Sequence, residues 1–309
     1  MAQTIEAEGA GQPERTPAAR KQQVTAWHGS RRNQTRVTQL IAYIIVTVGA
    51  IIFMIPFVWM LSSSLKPLDQ IFVEPPVWIP YPVQWRNYVD AWNALPFSRF
   101  LVNTLFITIL IMLGNIVTSA VVGYGFARYR FPGRDVLFIV LLSTMMLPYV
   151  VTLIPTFLIW RNLQLINTYD PLVIGSLFGG GPFFIFLMRQ FMLTLPVEME
   201  EAARIDGANT MQIFARIVLP LVKPALLAVG IFSFQGAWND FLAPLIYLND
   251  IPKYTLTLGM FFFVGGANEA PKWHWLMAMS TIIALPILLI FFLAQRQFIE
   301  GITLTGLKG

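Results

Sequence analysis

Long uncharged apolar stretches dominate this sequence and restrict the folds that it can adopt. Residues 37–63 contain no charged side chain, and a helix needs about 20 apolar residues to cross a bilayer. Because hydrocarbon offers no hydrogen-bond partners, a helix is the simplest way to satisfy the backbone there. Further apolar stretches lie at 100–126, 136–160, 172–188, 225–248 and 276–294. The sequence therefore predicts an all-α membrane protein with six transmembrane helices.

The composition agrees with this class and excludes several others. Only 12% of the residues are charged, about half the share in soluble proteins. There is no cysteine, so disulfides and thiolate metal sites are excluded. The two histidines, His28 and His274, lie far apart and form no nucleophile-base spacing, which argues against an intramembrane enzyme. Residues 1–36 are polar and are predicted to be a disordered tail preceding a membrane domain at 37–309.

The distribution of basic residues predicts the orientation in the membrane. With six spans, fifteen of the Lys and Arg residues lie on the side that carries both termini, and six lie on the other side. Basic residues are enriched in cytoplasmic loops. Both termini, the polar tail and the segment between spans four and five are therefore predicted to be cytoplasmic, and the +5 charge is not a nucleic-acid signal.

The segment 196–224, called the elbow below, is rich in charge and lies between spans four and five. Pro196 and three glutamates suit the start of a helix, and Gly207 interrupts the helical pattern. A second helical segment follows at 208–217 and ends before Pro220. A charged helix-turn-helix cannot lie in hydrocarbon, so the elbow is predicted to lie on the membrane surface.

The elbow also resembles a known motif. Glu201-Ala202-Ala203, then Gly207, then Ile217 and Leu219-Pro220, match the EAA loop of binding-protein-dependent ABC importers. The resemblance implies that this loop couples the chain to a cytoplasmic ATPase subunit by docking in a cleft. The implied docking residues are Glu200, Glu201, Ala202, Ala203, Asp206, Gly207, Ala208, Ile217, Leu219 and Pro220.

Other segments are similar to the carbohydrate-type group of these importers. S-L-K-P at 64–67, P-P-x-W-I-P at 75–80 and the pair Asn87-Tyr88 resemble its first external loop. The segment 124–134 resembles its cytoplasmic turn, and its arginines are interpreted as a basic anchor for the topology. The resemblance is to the second permease subunit of maltose-permease-like systems.

This resemblance implies the partners and the absence of chemistry on the chain itself. The implied partners are a second six-span permease, two ATPase subunits, an extracytoplasmic solute-binding protein and a sugar. ATP and Mg²⁺ would bind to the ATPase subunits. The chain itself is expected to have no catalytic residue, cofactor or metal.

A W-N-D-F element near the end of the fifth span offers a candidate solute path. Asp240 is the one acid inside a predicted span, and such groups usually face a cavity or a partner. Trp238, Asn239 and Asp240 could line the path by stacking on a sugar ring and accepting hydrogen bonds from hydroxyls. A structural contact near the membrane surface explains Asp240 equally well. An importer for another solute remains an alternative, as does an ion-coupled secondary transporter, although no internal repeat supports the latter.

Overall fold

The computed structural model describes the backbone of residues 17–179, 181–265 and 270–306 and the side chains of 38–179, 181–265 and 270–295. It divides into two units, Met1–Trp59 and Met60–Gly309. Every regular element in the described ranges is helical. The predicted all-α class is therefore confirmed for this part of the chain.

The first helix, α1, spans Pro17–Ser64 and contains a candidate membrane span at Thr38–Ser64. Its early start differs from the prediction of a disordered tail over 1–36. No proline follows Pro17 until Pro56, and the intervening Ala, Arg, Lys and Gln residues have high helix propensity, so the helix continues beyond the apolar stretch. Residues 1–16 lie outside the described range.

Six further α-helices in the described ranges precede the elbow: α2 (Arg86–Ala94), α3 (Phe97–Arg128), α4 (Arg134–Thr144), α5 (Tyr149–Asn162), α6 (Asp170–Leu177) and α7 (Pro182–Leu193). The longest of them is α3. A turn of about 99° separates α4 from α5 next to Pro148. The fourth span is also divided, because α6 ends before the glycines at 179–181 and α7 begins after them.

The remaining helices form the elbow and the last two spans. A five-residue π-helix at Phe214–Val218 interrupts the second half of the elbow. The α-helices are α8 (Glu198–Ile205), α9 (Thr210–Ile213), α10 (Leu219–Leu221), α11 (Lys223–Asn239), α12 (Leu242–Tyr247), α13 (Leu256–Phe261) and α14 (Trp273–Gly306).

The fifth span is not continuous over 225–248 as predicted. It ends at Asn239, and the chain leaves helical geometry at Asp240 before α12 begins. The Asp240 carboxylate accepts a hydrogen bond from the backbone N–H of Ala243 at 3.2 Å. A short acidic side chain that bonds to nearby backbone favours a helix cap over a helix interior.

Four described helical segments are long and apolar enough to cross a membrane, and the number rises to six if each bent pair is one span. The second bent pair joins Thr210–Leu221 to Lys223–Asn239 at 76°. The second and sixth predicted spans lie within α3 and α14. The upper figure agrees with the six spans that hydropathy predicts.

Helix α3 is the central helix of the second unit, and it packs on α11, α7 and α6. Glycines permit close approach along this helix. A Cβ on Gly123 would lie 2.8 Å from the Met188 Cβ, and one on Gly114 would lie 2.9 Å from the Ser176 hydroxyl oxygen. Between these contacts, the Asn115 amide donates to the Ser233 hydroxyl at 3.1 Å.

Two buried cores lie at opposite ends of α3. The elbow-end core consists of Ala120, Tyr124, Ala127, Met188, Met192, Ile213, Val218, Val222, Ala225 and Val229. The far-end core consists of Ala91, Phe97, Phe100, Trp238, Leu256, Phe263, Met279 and Ile283. The predicted coupling residues therefore pack near one core, while Trp238 belongs to the other.

Candidate coupling elbow and solute path

The turn after α8 explains the spacing between the E-A-A triplet and the glycine. Gly207 has a φ of 83°, a left-handed conformation that glycine adopts at little cost. The backbone N–H of Ala208 donates to the Ala203 carbonyl at 2.9 Å, and that of Gly207 donates to the Arg204 carbonyl at 3.0 Å. This pair of bonds is a Schellman motif, which requires the glycine four residues after Ala203.

The second half of the elbow starts with its own cap. The Asn209 side chain accepts a hydrogen bond from the Gln212 backbone, and the Gln212 side chain accepts one from the Asn209 backbone, both at 2.9 Å. This reciprocal capping box satisfies two backbone donors at the start of α9. The two halves of the elbow therefore have a defined turn between them.

A buried cluster of three side chains, Glu200, Arg128 and Tyr124, joins the elbow to the end of α3, and we call this cluster the clip. Glu200 is only 3% exposed, and its carboxylate accepts from the Arg128 guanidinium at 2.5 Å and from the Tyr124 hydroxyl at 3.0 Å. Arg128 also donates to the Leu195 carbonyl at 3.0 Å. Such charge-assisted, multiply bonded contacts orient their partners strongly.

The clip gives two residues contacts that the sequence did not predict. Glu200, one of the predicted docking residues, directs its carboxylate into the protein toward α3. Arg128, interpreted as part of a topological anchor, has its guanidinium buried against Glu200. The charge pattern alone could not reveal either contact, because the two residues lie 72 positions apart.

The other predicted docking residues differ in exposure. Glu201, Ala202, Asp206, Gly207 and Pro220 are exposed, whereas Ala203, Ala208, Ile217 and Leu219 are partly buried. Two apolar side chains that flank the turn are strongly exposed. Ile205 is 87% exposed and Met211 is 70% exposed. We call Ile205, Gly207 and Met211 the elbow tip; neither Ile205 nor Met211 was among the predicted docking residues.

The Trp238 side chain is packed in the far-end core, and its contact with a solute stays a prediction. Its side chain is 2% exposed, and its indole N–H donates to the Ile283 carbonyl on α14 at 3.0 Å. The indole ring stacks on Phe234 with 5.3 Å between centroids. A buried indole N–H needs a hydrogen-bond acceptor, and the Ile283 carbonyl provides one here.

The two polar neighbours of Trp238 have different surroundings. Asn239 is exposed, and its amide donates to the Gln235 carbonyl one turn earlier at 3.0 Å. Asp240 is half-buried, and besides its cap on α12, its backbone carbonyl accepts from the Thr257 hydroxyl at 2.7 Å. The three predicted path residues therefore do not form one continuous polar surface, and Asn239 is the most accessible of them.

The loop elements that carried the resemblance have structural roles. The Asn87 amide donates to the carbonyls of Ser64 and Lys66, both at 2.9 Å. The hydroxyls of Tyr88 and Ser64 share a hydrogen bond at 2.7 Å. The Asn-Tyr pair thus fastens α2 to the S-L-K-P turn that follows α1.

A polar hub closes the loop that follows α12. Asn167, with a φ of 64°, accepts from the backbone N–H groups of Asn249 and Asp250 and donates to the Asp250 carboxylate at 2.7 Å. Hydrogen bonds from Asn167 and Lys253 hold the pKa of Asp250 below its usual value. No cluster of three or more His, Asp or Glu residues suited to a metal ion occurs in the described ranges.

An elbow fixed to a bundle of apolar helices defines a helical transport permease as the class of protein. Residues 116–303 match the family described as binding-protein-dependent transport system inner membrane component. The chain belongs to this family and is a permease subunit of an ABC importer, and the resemblance drawn from its motifs is confirmed. Two curated relatives align with most of the chain.

These relatives differ in the solutes that their names state. The chain is 32% identical to the sn-glycerol-3-phosphate transport system permease protein UgpE of Yersinia pestis, over 86% of this chain and 96% of the relative. It is 30% identical to the diacetylchitobiose uptake system permease protein DasC of Streptomyces coelicolor, over 89% and 98%.

A solved structure shares the fold. A chain of a bacterial ABC transporter involved in the import of the acidic polysaccharide alginate superposes with a TM-score of 0.75. The alignment covers 85% of this chain and 97% of that one, at 22% sequence identity. This likeness supports the membrane fold described above.

Proposed function

We propose that the chain forms half of the solute path of an ATP-driven importer and that its elbow docks in a cleft of a cytoplasmic ATPase subunit. The observation that carries this proposal is the elbow tip, where Ile205 and Met211 expose apolar surface on a charged segment. Exposed apolar side chains ringed by polar groups are typical of protein-binding sites. The nearby carboxylates of Glu201 and Asp206 would contact basic groups on the partner.

The clip gives the docked elbow a route to the membrane helices. Because Glu200 is bonded to both Arg128 and Tyr124, a displacement of α8 is transmitted to the end of α3. In this proposal, ATP binding between two ATPase subunits moves the elbows. The six spans then change between inward-open and outward-open arrangements by rigid-body motion.

The assembly follows from the same proposal. This permease pairs with a second six-span permease and two ATPase subunits, and an extracytoplasmic binding protein delivers the solute. Both termini and the elbow lie in the cytoplasm, as the excess of basic residues on that side indicates. ATP and Mg²⁺ belong to the ATPase subunits, and this chain contributes no catalytic residue.

We propose a sugar, or a similarly polyhydroxylated compound, as the solute. The names of the relatives, which include diacetylchitobiose and glycerol-3-phosphate permeases, support this class. The carbohydrate-type loop elements fit the same group. A polyol phosphate or another small solute is the alternative within the importer class.

Co-purification tests the docking proposal. The wild-type chain and an Ile205→Asp variant are expressed with their native partners, and the ATPase subunit recovered with each is measured with its ATPase activity. Truncating a binding hot spot costs at least about 2 kcal/mol, so recovery should fall by about thirty-fold at limiting ATPase concentration. Wild-type recovery of Ile205→Asp would contradict the proposed contact.

Met199→Asp is the matched control. Met199 is an exposed apolar residue on the same helix, about 120° away from Ile205 around the axis. The Met199→Asp variant should retain the ATPase subunit if docking is specific to the elbow tip. If no ATPase subunit accompanies the wild type and transport proceeds without ATP, the secondary-transporter alternative replaces the proposed importer.

A further inference from the structure

We propose that Gln235 and Asn239 line the water-filled solute path and exchange hydrogen bonds with the hydroxyl groups of the solute. The inference rests on the proposed function and identifies the part of this chain that the solute would touch. It keeps Asn239 from the W-N-D-F prediction and adds Gln235, which lies outside that element, whereas Trp238 is buried.

The two carboxamides lie on the same face of α11. Residues four apart lie on one face of a helix, and both Gln235 and Asn239 are exposed. The opposite face is buried and includes Val229 and Ser233, which pack toward α3. Helix α11 thus has an inner face in the bundle and an outer face that carries two amides.

The depth of Gln235 in the membrane supports the same inference. Gln235 follows Lys223, the first residue of α11, by twelve positions, or about 18 Å along the helix axis. The hydrocarbon core is about 30 Å thick, so Gln235 lies at the depth of the acyl chains. Polar side chains at this depth usually face the interior of a bundle or an aqueous cavity, because hydrocarbon cannot replace their hydrogen bonds with water.

A cavity of about 370 Å³ lies beside Gln235, between α11 and α14. Its volume lies in the range of small-molecule sites, which combine apolar walls with a few polar groups. Among its described lining residues the carboxamide of Gln235 is the polar side chain, and the others are apolar. They are Ile231, Phe232, Phe234, Ile287, Ile290 and Phe291. An amide beside phenyl rings suits a solute with hydroxyl edges and apolar ring faces.

The natural chain contains no cysteine, so single-cysteine variants can be tested directly. Gln235→Cys and Asn239→Cys are assembled with the partner subunits in proteoliposomes and treated with a charged, membrane-impermeant methanethiosulfonate. Labelling is measured without nucleotide and after vanadate trapping. Val117→Cys is the control, because Val117 is an exposed apolar residue on α3. If Gln235→Cys fails to assemble, Ile231→Cys, one turn earlier on α11, repeats the test.

The expected result is faster labelling of Gln235→Cys and Asn239→Cys than of Val117→Cys, with a rate that depends on the nucleotide state. A tenfold difference or more is expected, since a thiol in hydrocarbon has a raised pKa and little reactive thiolate. If Gln235→Cys reacts no faster than the control in either state, lipid or a partner helix covers this face and the inference is overturned. ATPase activity of the same proteoliposomes reports the proposed function separately.

Discussion

The two ends of α3 are stabilised by different interactions. At the elbow end, a guanidinium, a carboxylate and a phenol meet in the clip. At the far end, aromatic rings dominate, with Phe97 packed on both Phe100 and Phe263 at centroid distances of 5.3 and 5.6 Å. Burial of apolar surface stabilises a structure without fixing an orientation, whereas hydrogen bonds to the planar guanidinium of an arginine do fix one. The comparison indicates that the clip fixes the angle of α8, whereas the aromatic contacts at the far end stabilise the fold without fixing an orientation.

The largest effect is expected from Arg128→Met at the elbow end. The change leaves the Glu200 carboxylate buried without its counter-charge, which costs about 3–5 kcal/mol when a buried pair is broken. We expect a lower unfolding temperature in detergent and a large loss of co-purified ATPase subunit. Both are measured on the same preparation by thermal unfolding and by gel quantification.

A double variant separates stability from orientation at the clip. Arg128→Met combined with Glu200→Met removes both charges, and such replacements often restore stability. We expect the unfolding temperature to recover while ATP hydrolysis stays poorly coupled to transport, because an apolar contact does not fix the angle of α8. Full recovery of coupling would show that the two ends of α3 do not differ in the way proposed.

A smaller effect is expected from Trp238→Phe at the far end. The variant loses the hydrogen bond to the Ile283 carbonyl and part of a filled volume, at a cost of about 2 kcal/mol. Co-purification of the ATPase subunit should remain at the wild-type level, since distant sites act independently. A selective change in solute specificity without a loss of stability would restore Trp238 as a path residue.

The smallest effect is expected from Gly207→Ala at the elbow turn. A Cβ would meet open space there, so the cost comes only from the left-handed backbone and is about 1 kcal/mol. Gly207→Asn is the matched control, because asparagine tolerates this conformation better. We expect a lower unfolding temperature for the alanine variant than for the asparagine variant. Equal values would show that the turn relaxes to another conformation.

Much of the fold was predictable because hydropathy reports it directly. The spans at α3 and α14 follow from uninterrupted apolar runs, and the turn in the elbow follows from Gly207. The break at Asp240 was missed, although Pro244 lies four residues later. A proline has no N–H to donate to the carbonyl four residues earlier, and its ring would clash with that carbonyl in a continuous helix. The Asp240 carbonyl accepts from the Thr257 hydroxyl instead.

The candidate site was less predictable, since its contacts join distant parts of the chain. The motif identified the elbow, but it did not distinguish Glu200, which is directed inward, from its neighbour Glu201, which is exposed. Helical phase separates these adjacent residues by about 100°. The exposure of Ile205 depends equally on tertiary structure, because an isoleucine in the last turn of an amphipathic helix would ordinarily be assigned to the core.

The π-helix at Phe214–Val218 has a consequence for the register of the elbow. A π-helical turn accommodates one residue more than an α-helical turn. Deleting one residue there, such as Ala215, would allow α9 to continue into α10 as ordinary α-helix. Because the π-helical turn already takes up the extra residue, this deletion would leave the direction of the preceding residues nearly unchanged. The same deletion in the regular helix α11 would rotate them by about 100° about the helix axis. The direction in which Ile205 is presented therefore tolerates the loss of a residue at Phe214–Val218 better than a loss in the helix that follows.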